Sequence, residues 1–293
     1  MTQNVKNEKP ATKKSFFSPS VLPLTITSLL FVLIPLGYIV VISFLERGDY
    51  FGVKSVFTLQ NYVKMFDPMY GKVFVDALIV AILTTLCSLI VAYPFSYAMA
   101  RLEKKWRSVV MVFLMAPFWL NSLIRLNGVI TLLRKNGVIN SFLLGTGIID
   151  EPLQLLYNYG SVIVGMIYAL LPFMILAVYN SVEKMDWSLV EASRDLGAGP
   201  VRAFLTITLP QTLPGIIAGC ILVFVPSVGL FFVSDLLGGA KSVLLGNLIR
   251  NEMLSARNWP FGAALSIVML IVTSAAIQLY KKVTKESKVG GLW

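Results

Sequence analysis

Apolar residues in this chain are gathered into six long stretches that are separated by short polar segments. Each stretch holds the roughly 20 apolar residues that a helix needs to cross about 30 Å of hydrocarbon. The pattern therefore predicts an all-α polytopic membrane protein with six transmembrane helices. The stretches lie near residues 22–45, 75–100, 109–133, 159–183, 212–234 and 260–281.

The polar segments at the two ends of the chain are predicted to be tails. Residues 1–20 contain four lysines and show no apolar period, which is typical of a disordered segment. A six-span transmembrane domain is expected over 21–283, with a second tail over 284–293. Because the first apolar stretch is long and has no small-residue cleavage site, we interpret it as a membrane span and not as a signal peptide.

The polar segment 184–210, between the fourth and fifth apolar stretches, is predicted to form a helix, a turn and a second helix. Gly197 and Gly199 are expected to end the first helix, because glycine enters left-handed conformations without steric cost. Pro200 suits the first position of the next helix, where its missing N–H does no harm. The segment is either a docking element for another protein or an ordinary structured loop. One face of the first helix is formed by Met185, Leu189, Ala192, Ser193 and Leu196.

The distribution of lysine and arginine predicts the orientation in the membrane, because cytoplasmic loops are enriched in these residues. One set of segments carries 14 basic residues among 68, namely 1–20, 101–108, 184–211 and 282–293. The alternating set carries 9 among 79, namely 46–74, 134–158 and 235–259. Both termini and the 184–210 segment are therefore expected in the cytoplasm. The first outer loop, 46–74, could hold a small interfacial helix or strand.

Composition excludes several classes of function. Hydrophobic residues make up 56% of the chain and charged residues 14%, as in membrane proteins. Histidine is absent, and Cys87 and Cys220 lie in apolar stretches, so no metal site is expected. Residues 238–242 lack the spacing of a nucleotide-binding loop, and no hydrolase motif is present. We expect no enzyme, and we attribute the net charge of +10 to contact with the lipid bilayer, not to nucleic acid.

Residues near the outer end of the fifth stretch are candidates for a substrate path. A proline at Pro226 removes a backbone hydrogen bond, and the freed groups must face protein or a water-filled cavity. Residues 226–235 are therefore expected to line a path that includes Phe231, Phe232 and Asp235. In the inner half, Gly215 and Gly219 have the spacing that permits close helix contact, although such spacing is frequent by chance.

A second candidate cluster lies in the third stretch and comprises Trp119, Asn121, Ser122 and Arg125. In a straight helix that starts at Val109, Arg125 would lie ~24 Å across the membrane, near the outer face. An interfacial belt of aromatic residues explains Trp119 equally well. Asp235 likewise has more than one interpretation: it is a contact for a cationic substrate, or it caps the end of the fifth span or neutralises Arg125.

The polar segment also carries a sequence resemblance. It reads Glu191-Ala192-Ser193, then Gly197, then Ile207, Leu209 and Pro210. ABC importer permeases share this spacing in a cytoplasmic loop with the pattern E-A-A, Gly, I-x-L-P, from which only Ser193 departs. Further stretches resemble the spermidine/putrescine permeases of the B type: PFWLNSLIR at 117–125, LLPFM at 170–174, LPGIIAGC at 213–220 and VSDLLGGAK at 233–241. The resemblance covers roughly residues 24–283.

The resemblance implies a type I importer permease of MetI-like architecture in the cell membrane. In that family the loop is a coupling helix that seats on an ATPase subunit. The implied partners are two ATPase subunits that bind ATP and magnesium, a second related permease subunit and an extracytoplasmic polyamine-binding protein, and no cofactor is expected on this chain. Transport would follow alternating access, with Asp235 as the best candidate for an amine contact. The alternatives are an ABC importer for another solute, and a secondary transporter or channel that acts without an ATPase.

Overall fold

The computed structural model describes residues 22–48, 52–239 and 242–289, most of which are helical. The α-helices are Leu22–Ser28, Ile34–Ser43, Gln60–Lys64, Pro68–Ala100, Lys104–Met115, Ser122–Leu133, Val138–Gly145, Tyr159–Glu183, Trp187–Asp195, Pro200–Ala203, Leu209–Gly229, Phe231–Val233, Leu245–Arg250 and Trp259–Val289. Wider π-helical turns occupy Leu29–Leu33, Phe204–Thr208, Ser234–Gly238 and Asn251–Ser255, and a 3₁₀ turn occupies Ala116–Trp119. Two strands, Leu45–Arg47 and Val53–Phe57, form an antiparallel hairpin.

Five helical stretches are long and apolar enough to cross a membrane as single elements. They are span 1 (Thr25–Ser43), span 2 (Pro68–Ala100), span 4 (Tyr159–Glu183), span 5 (Pro200–Gly229) and span 6 (Trp259–Leu279). A bent pair of helices meets the same criterion only when both halves are taken together, and it forms span 3 (Lys104–Trp119 with Ser122–Gly145). The predicted class, a helical membrane protein with several spans, is confirmed.

Span 3 is not the single straight helix that the sequence predicts over 109–133. Its two halves meet at an angle of 97°. The first half ends in the 3₁₀ turn Ala116–Trp119, which contains a proline, and Asn121 starts the second half by accepting a hydrogen bond from Leu123 N–H at 2.8 Å. A proline followed by a new helix cap breaks a helix. The predicted depth of Arg125, which assumed a straight helix, is therefore wrong.

Spans 2, 4 and 5 form the centre of the bundle, and glycines bring spans 4 and 5 close together. A Cβ atom on Gly219 would lie 2.5 Å from Met174 Sδ, and one on Gly215 would lie 2.7 Å from Ala177 O. At Gly215 the close atom belongs to the backbone, which cannot move aside as the Met174 side chain can, so only glycine permits the approach there. The close helix contact that the Gly215/Gly219 spacing permits is thus made within this chain.

Span 5 begins earlier than the predicted 212–234, because the helix that starts at Pro200 continues without interruption into the membrane. The π-helical turn Phe204–Thr208 precedes Pro210. A wider turn there accommodates a proline ring that would otherwise clash with the carbonyl one turn earlier. The helix ends at Gly229, shortly after Pro226, in agreement with the predicted break.

Residues 184–199 lie at one end of the bundle, the loop end, and the segment that follows span 5 lies at the opposite end. Residues 244–250, here called the buried segment, belong to a predicted outer loop but are packed into the bundle. Leu245 is 1% exposed and Asn247 is 3% exposed. A Cβ atom on Gly246 would lie 2.5 Å from Gly229 O. The assignment of 235–259 to an outer loop did not include this burial.

The other connections agree with the predicted bounds only in part, since span 2 begins at Pro68 and not at residue 75. The first outer loop, 46–74, contains most of the hairpin and the short helix Gln60–Lys64. Asn61 holds this helix to the end of span 1 by donating from Nδ2 to Ser43 O at 3.0 Å. The last helix extends to Val289, into the predicted tail 284–293, while the predicted tail 1–20 lies outside the described residues.

Candidate functional site

The polar segment 184–210 contains the two predicted helices. The first, Trp187–Asp195, starts at Asp186, whose carboxylate accepts a hydrogen bond from Ser188 N–H at 3.0 Å. The second starts with proline at its first position and is the beginning of span 5. Three residues of the resemblance therefore lie inside the membrane helix and not in a loop: Ile207, Leu209 and Pro210.

Gly197 is the turn residue between the two helices. Its φ is +84°, in the left-handed region that favours glycine. The Gly197 N–H donates to Arg194 O and the Ala198 N–H to Ser193 O, both at 2.9 Å. These two bonds satisfy the last carbonyls of the first helix in the Schellman arrangement. Gly199, by contrast, has a φ of −64° and open space around it, so only Gly197 needs to be glycine.

Aromatic and cationic side chains attach the segment to the end of span 2. Arg101 Cζ lies 4.6 Å from the Tyr97 ring centroid and 5.1 Å from that of Trp187. Each such contact contributes about 0.5–1 kcal/mol at an exposed site. On the second helix, Phe204 meets Tyr93 edge to face, with ring centroids 5.6 Å apart. Both helices of the segment are thus attached to the last turns of span 2.

A salt bridge closes the loop end between spans 3 and 4. Arg107 Nη1 donates to Glu183 Oε1 at 2.6 Å, and Arg107 Nη2 donates to Ala100 O at 2.8 Å and to Leu102 O at 3.2 Å. One guanidinium therefore joins the end of span 2, the start of span 3 and the end of span 4.

The predicted apolar face of the first helix is divided in the structure. Met185 is buried at its base, whereas Leu189 is 49% exposed and Leu196 is 88% exposed. Val190, outside the predicted face, is buried instead, and the first helix lies against the start of span 5. Ala192, from the predicted face, is exposed, and Ser193, also from that face, is half-buried. The neighbouring Glu191 is exposed as well. The turn therefore presents uncovered apolar side chains at the loop end.

At the opposite end, four residues form the Asp235 cluster: Phe231, Asp235, Asn247 and Arg250. Asp235 Oδ1 accepts from Asn247 Nδ2, and Asp235 Oδ2 accepts from Arg250 Nη1. Asn247 Nδ2 also donates to Phe231 O at 3.0 Å, and Arg250 Cζ lies 5.4 Å from the Phe231 ring centroid. The predicted neighbour Phe232 packs edge to face on Phe231, with centroids 6.2 Å apart.

The sequence analysis considered Arg125 as the ion-pair partner of Asp235. In the structure the partner of Asp235 is Arg250 and not Arg125. Arg125 Cζ instead lies 4.4 Å from the Phe118 ring centroid, and its buried Nε has no hydrogen-bond partner among the residues that the structure describes. The remaining members of the second predicted cluster lie on the bend of span 3: Trp119, which is 82% exposed, Asn121, which caps its helix, and Ser122, where that helix begins.

Sequence reasoning missed Asn247 and Arg250, because both lie in the segment 235–259, which was assigned to an outer loop. One signal was available, since Asn247 stands within the apolar run Val243–Ile249 and Arg250 follows three residues later, on the same face of a helix. The described residues include no group of three His, Cys, Asp or Glu side chains that could hold a metal ion.

A bundle of membrane spans with an exposed helical segment between spans 4 and 5 defines a membrane transport component that another protein can engage. Residues 92–283 match the family described as the binding-protein-dependent transport system inner membrane component. The chain belongs to this family. It is therefore a multi-pass inner membrane protein of a transport system and not an enzyme.

Curated relatives resemble the chain over most of its length. It is 46% identical over 256 residues to the spermidine/putrescine transport system permease protein PotB of Escherichia coli K12, which covers 87% of this chain and 93% of that protein. It is 42% identical over 255 residues to the protein of the same name from Haemophilus influenzae, with 87% and 89% covered.

Solved structures share the fold at low sequence identity. A chain from a bacterial ABC transporter that imports the acidic polysaccharide alginate superposes with a TM-score of 0.72 at 18% identity, over 90% of this chain and 94% of that one. A second structure of a bacterial alginate ABC transporter, in complex with an alginate pentasaccharide-bound periplasmic protein, gives a TM-score of 0.74 at 17% identity, with 91% and 93% covered. At such identity the likeness concerns the fold alone.

Proposed function

We propose that the chain is the permease subunit of an ATP-driven ABC importer and carries polyamines, spermidine or putrescine, across the inner membrane. The observation that carries the proposal is the 46% identity to the Escherichia coli spermidine/putrescine permease over 87% of this chain. Substrate enters at the opposite end and leaves at the loop end by alternating access between the spans.

The polar segment is proposed as the coupling element to the ATPase. Leu196, at its tip, is 88% exposed, so an apolar contact is available to a partner. A push on the first helix reaches span 5 directly, because the second helix is the start of that span, and it reaches span 2 through Arg101 and Trp187. Two ATPase subunits bind ATP and magnesium, and this chain binds no cofactor of its own.

Two further partners complete the proposed importer. One is a second, related permease subunit, and the other is an extracytoplasmic polyamine-binding protein that delivers substrate at the opposite end. The solved alginate transporter in complex with a periplasmic protein supports a partner of this kind. In this arrangement both termini and the loop end face the cytoplasm, in agreement with the distribution of lysine and arginine.

The transport proposal is tested by reconstituting the complete importer in vesicles with the binding protein outside and ATP inside. Uptake of radiolabelled spermidine or putrescine that requires ATP is the expected result. Uptake that continues without ATP would indicate a secondary transporter or channel. ATP hydrolysis that another solute stimulates, but polyamines do not, would indicate a different substrate.

The orientation is tested by single cysteines in a chain that lacks Cys87 and Cys220. Leu196→Cys is expected to resist an impermeant thiol reagent that is added outside intact cells. Phe66→Cys, at a residue that is 87% exposed at the opposite end, is expected to react. Reaction at residue 196 alone would reverse the proposed orientation.

Docking of the ATPase is tested by placing a charge on the exposed leucine of the turn. Leu196→Glu is expected to remove the ATPase subunits from the purified complex, since it puts a carboxylate into the proposed apolar contact. Leu59→Glu, at a leucine that is 55% exposed at the opposite end, is the matched control and should leave the ATPase bound. Retention of the ATPase by both variants would show that residue 196 is outside the docking surface.

A further inference from the structure

The Asp235 cluster has the composition of a binding site for an ammonium group. A carboxylate forms short, charge-assisted hydrogen bonds with N–H donors, and the face of an aromatic ring attracts a cation. Both groups are present, because Asp235 Oδ2 and the Phe231 ring contact the same guanidinium, that of Arg250. The site is therefore one that already holds a cation, which this chain itself supplies.

Asn247 fixes the orientation of the carboxylate independently of Arg250. The Asn247 side chain is almost fully buried and makes three bonds: its Nδ2 donates to Asp235 Oδ1 and to Phe231 O, and its Oδ1 accepts from Leu244 N–H. One carboxylate oxygen is thus held by the buried segment, and the other is directed to the cation. Departure of Arg250 leaves the Asn247 bonds in place.

Arg250 is the part of the cluster that can leave. The side chains of Arg250 and Asp235 are each 39% exposed, so the salt bridge lies at the surface of the bundle. Arg250 is the last residue of the helix Leu245–Arg250, and the first four residues of this helix are buried whereas Arg250 is not. Exposed salt bridges of this kind contribute little to stability, and a long side chain can reorient while the backbone stays still.

We propose that Asp235 and Phe231 bind a primary ammonium group of the transported amine, and that Arg250 occupies this site when substrate is absent. The proposal rests on the proposed function. Exchange of one cation for another keeps the Asp235 carboxylate paired with a cation throughout. Because Arg250 competes with substrate, it lowers the apparent affinity by the fraction of time that it occupies the site.

The test measures equilibrium binding of radiolabelled putrescine to the purified complex of both permease subunits with the ATPase, without the binding protein. Arg250→Gln removes the competing cation but keeps a side chain of similar length, and it is expected to tighten binding by at least about fivefold. Arg250→Lys keeps a cation and should bind as the wild type does. Asp235→Asn, alone or combined with Arg250→Gln, should weaken binding at least about tenfold.

Arg134→Gln is the matched control for a general effect of charge, since it removes an exposed arginine from the same end of the bundle. It should leave putrescine affinity unchanged. Equal tightening by Arg134→Gln and Arg250→Gln would overturn the proposal, and so would unchanged or weaker binding by Arg250→Gln. ATP-driven polyamine uptake by the wild-type importer is measured in parallel. If the wild-type importer takes up polyamine and Arg250→Gln binds putrescine no more tightly than the wild type, the ammonium site alone is refuted. If the wild-type importer shows no uptake, the proposed function is refuted as well.

Discussion

Arg107 at the loop end and Arg250 at the opposite end of the bundle are held in different ways. At the loop end, Arg107 bonds to Glu183 and to two backbone carbonyls, and Arg101 lies between two aromatic rings. At the opposite end, Arg250 meets one carboxylate oxygen and one ring. Loss of Arg107 leaves backbone carbonyls without a donor, whereas Arg250 can be replaced by another cation. We infer that the loop end is built to transmit force and the opposite end to exchange a ligand.

The backbone conformation also differs between the loop end and the opposite end. The turn at the loop end is fixed by the left-handed Gly197 and its two hydrogen bonds. At the opposite end the chain leaves span 5 at Leu230 and passes through the π-helical turn Ser234–Gly238, which carries Asp235. Such turns within helices frequently occur at functional sites. Variants that act on one end only can therefore separate coupling from substrate binding.

The largest effect is expected from Gly197→Pro. Proline cannot adopt a φ of +84° and has no N–H for the bond to Arg194 O, so the turn is lost. ATP-driven uptake in vesicles should fall to background while putrescine binding to the opposite end is unchanged.

The control for this variant is Gly199→Ala, at a residue with an ordinary φ and open space around it. It should transport normally. Full uptake by Gly197→Pro would show that the segment is an ordinary structured loop and that the contrast between the two ends is mistaken.

The second largest effect concerns the close packing of spans 4 and 5, which connects the loop end to the rest of the bundle. Gly215→Ala places a methyl group 2.7 Å from Ala177 O and is expected to lower stability by about 1–3 kcal/mol. The midpoint of thermal unfolding of the purified complex measures this loss. Gly71→Ala adds a methyl group to span 2 where nothing lies within 4 Å, and it should leave the midpoint unchanged or raised. Equal midpoints would mean that spans 4 and 5 are less closely packed than described.

A smaller effect is expected from Trp187→Leu, which removes the ring that Arg101 and Tyr97 contact. The first helix keeps its cap and turn, so the ATPase should stay bound, but uptake per ATP hydrolysed should fall. Trp259→Leu changes a tryptophan at the opposite end, where the indole Nε1 donates to Met253 O, and it should leave this ratio unchanged. A fall in both variants would remove the assignment of coupling to the loop end.

The smallest effect compares one tyrosine hydroxyl at each end. Tyr159→Phe removes a hydrogen bond of 2.9 Å to Asp76 Oδ2 at the opposite end. Tyr93→Phe removes one of 3.0 Å to Thr212 Oγ1 near the loop end. Each substitution should lower the free energy of unfolding, measured by thermal unfolding, by about 0.5–1.5 kcal/mol. We expect Tyr93→Phe to lower uptake per ATP hydrolysed as well. Tyr159→Phe should leave this ratio unchanged.

Local pattern was sufficient for the features that depend on neighbouring residues. The apolar stretches predict the spans, because the length of a hydrophobic run sets what can cross a bilayer. Glycine followed by proline predicts the turn between residues 195 and 200, since the backbone limits of these two residues hold in any surroundings. The break after Pro226 is of the same kind.

Features that join distant parts of the chain were decided only by tertiary packing. The bend of span 3 was missed because its proline is compatible with a mild kink as well as with a turn of 97°. Arg250 as the partner of Asp235 was missed because the choice depends on the buried segment, which Gly246 brings against Gly229.

The sequence by itself thus determined the class of protein, the apolar stretches from which the spans are built and the turn at Gly197, since each follows from hydrophobic length or from the conformational limits of single residues. Only the tertiary structure decided which charges meet. Periodicity along a helix shows which residues share a face, but it does not show which element will lie against that face. That choice results from the packing of spans 2, 5 and 6 around the buried segment, and it places the cation of Arg250 on Asp235 while Arg125 lies on Phe118.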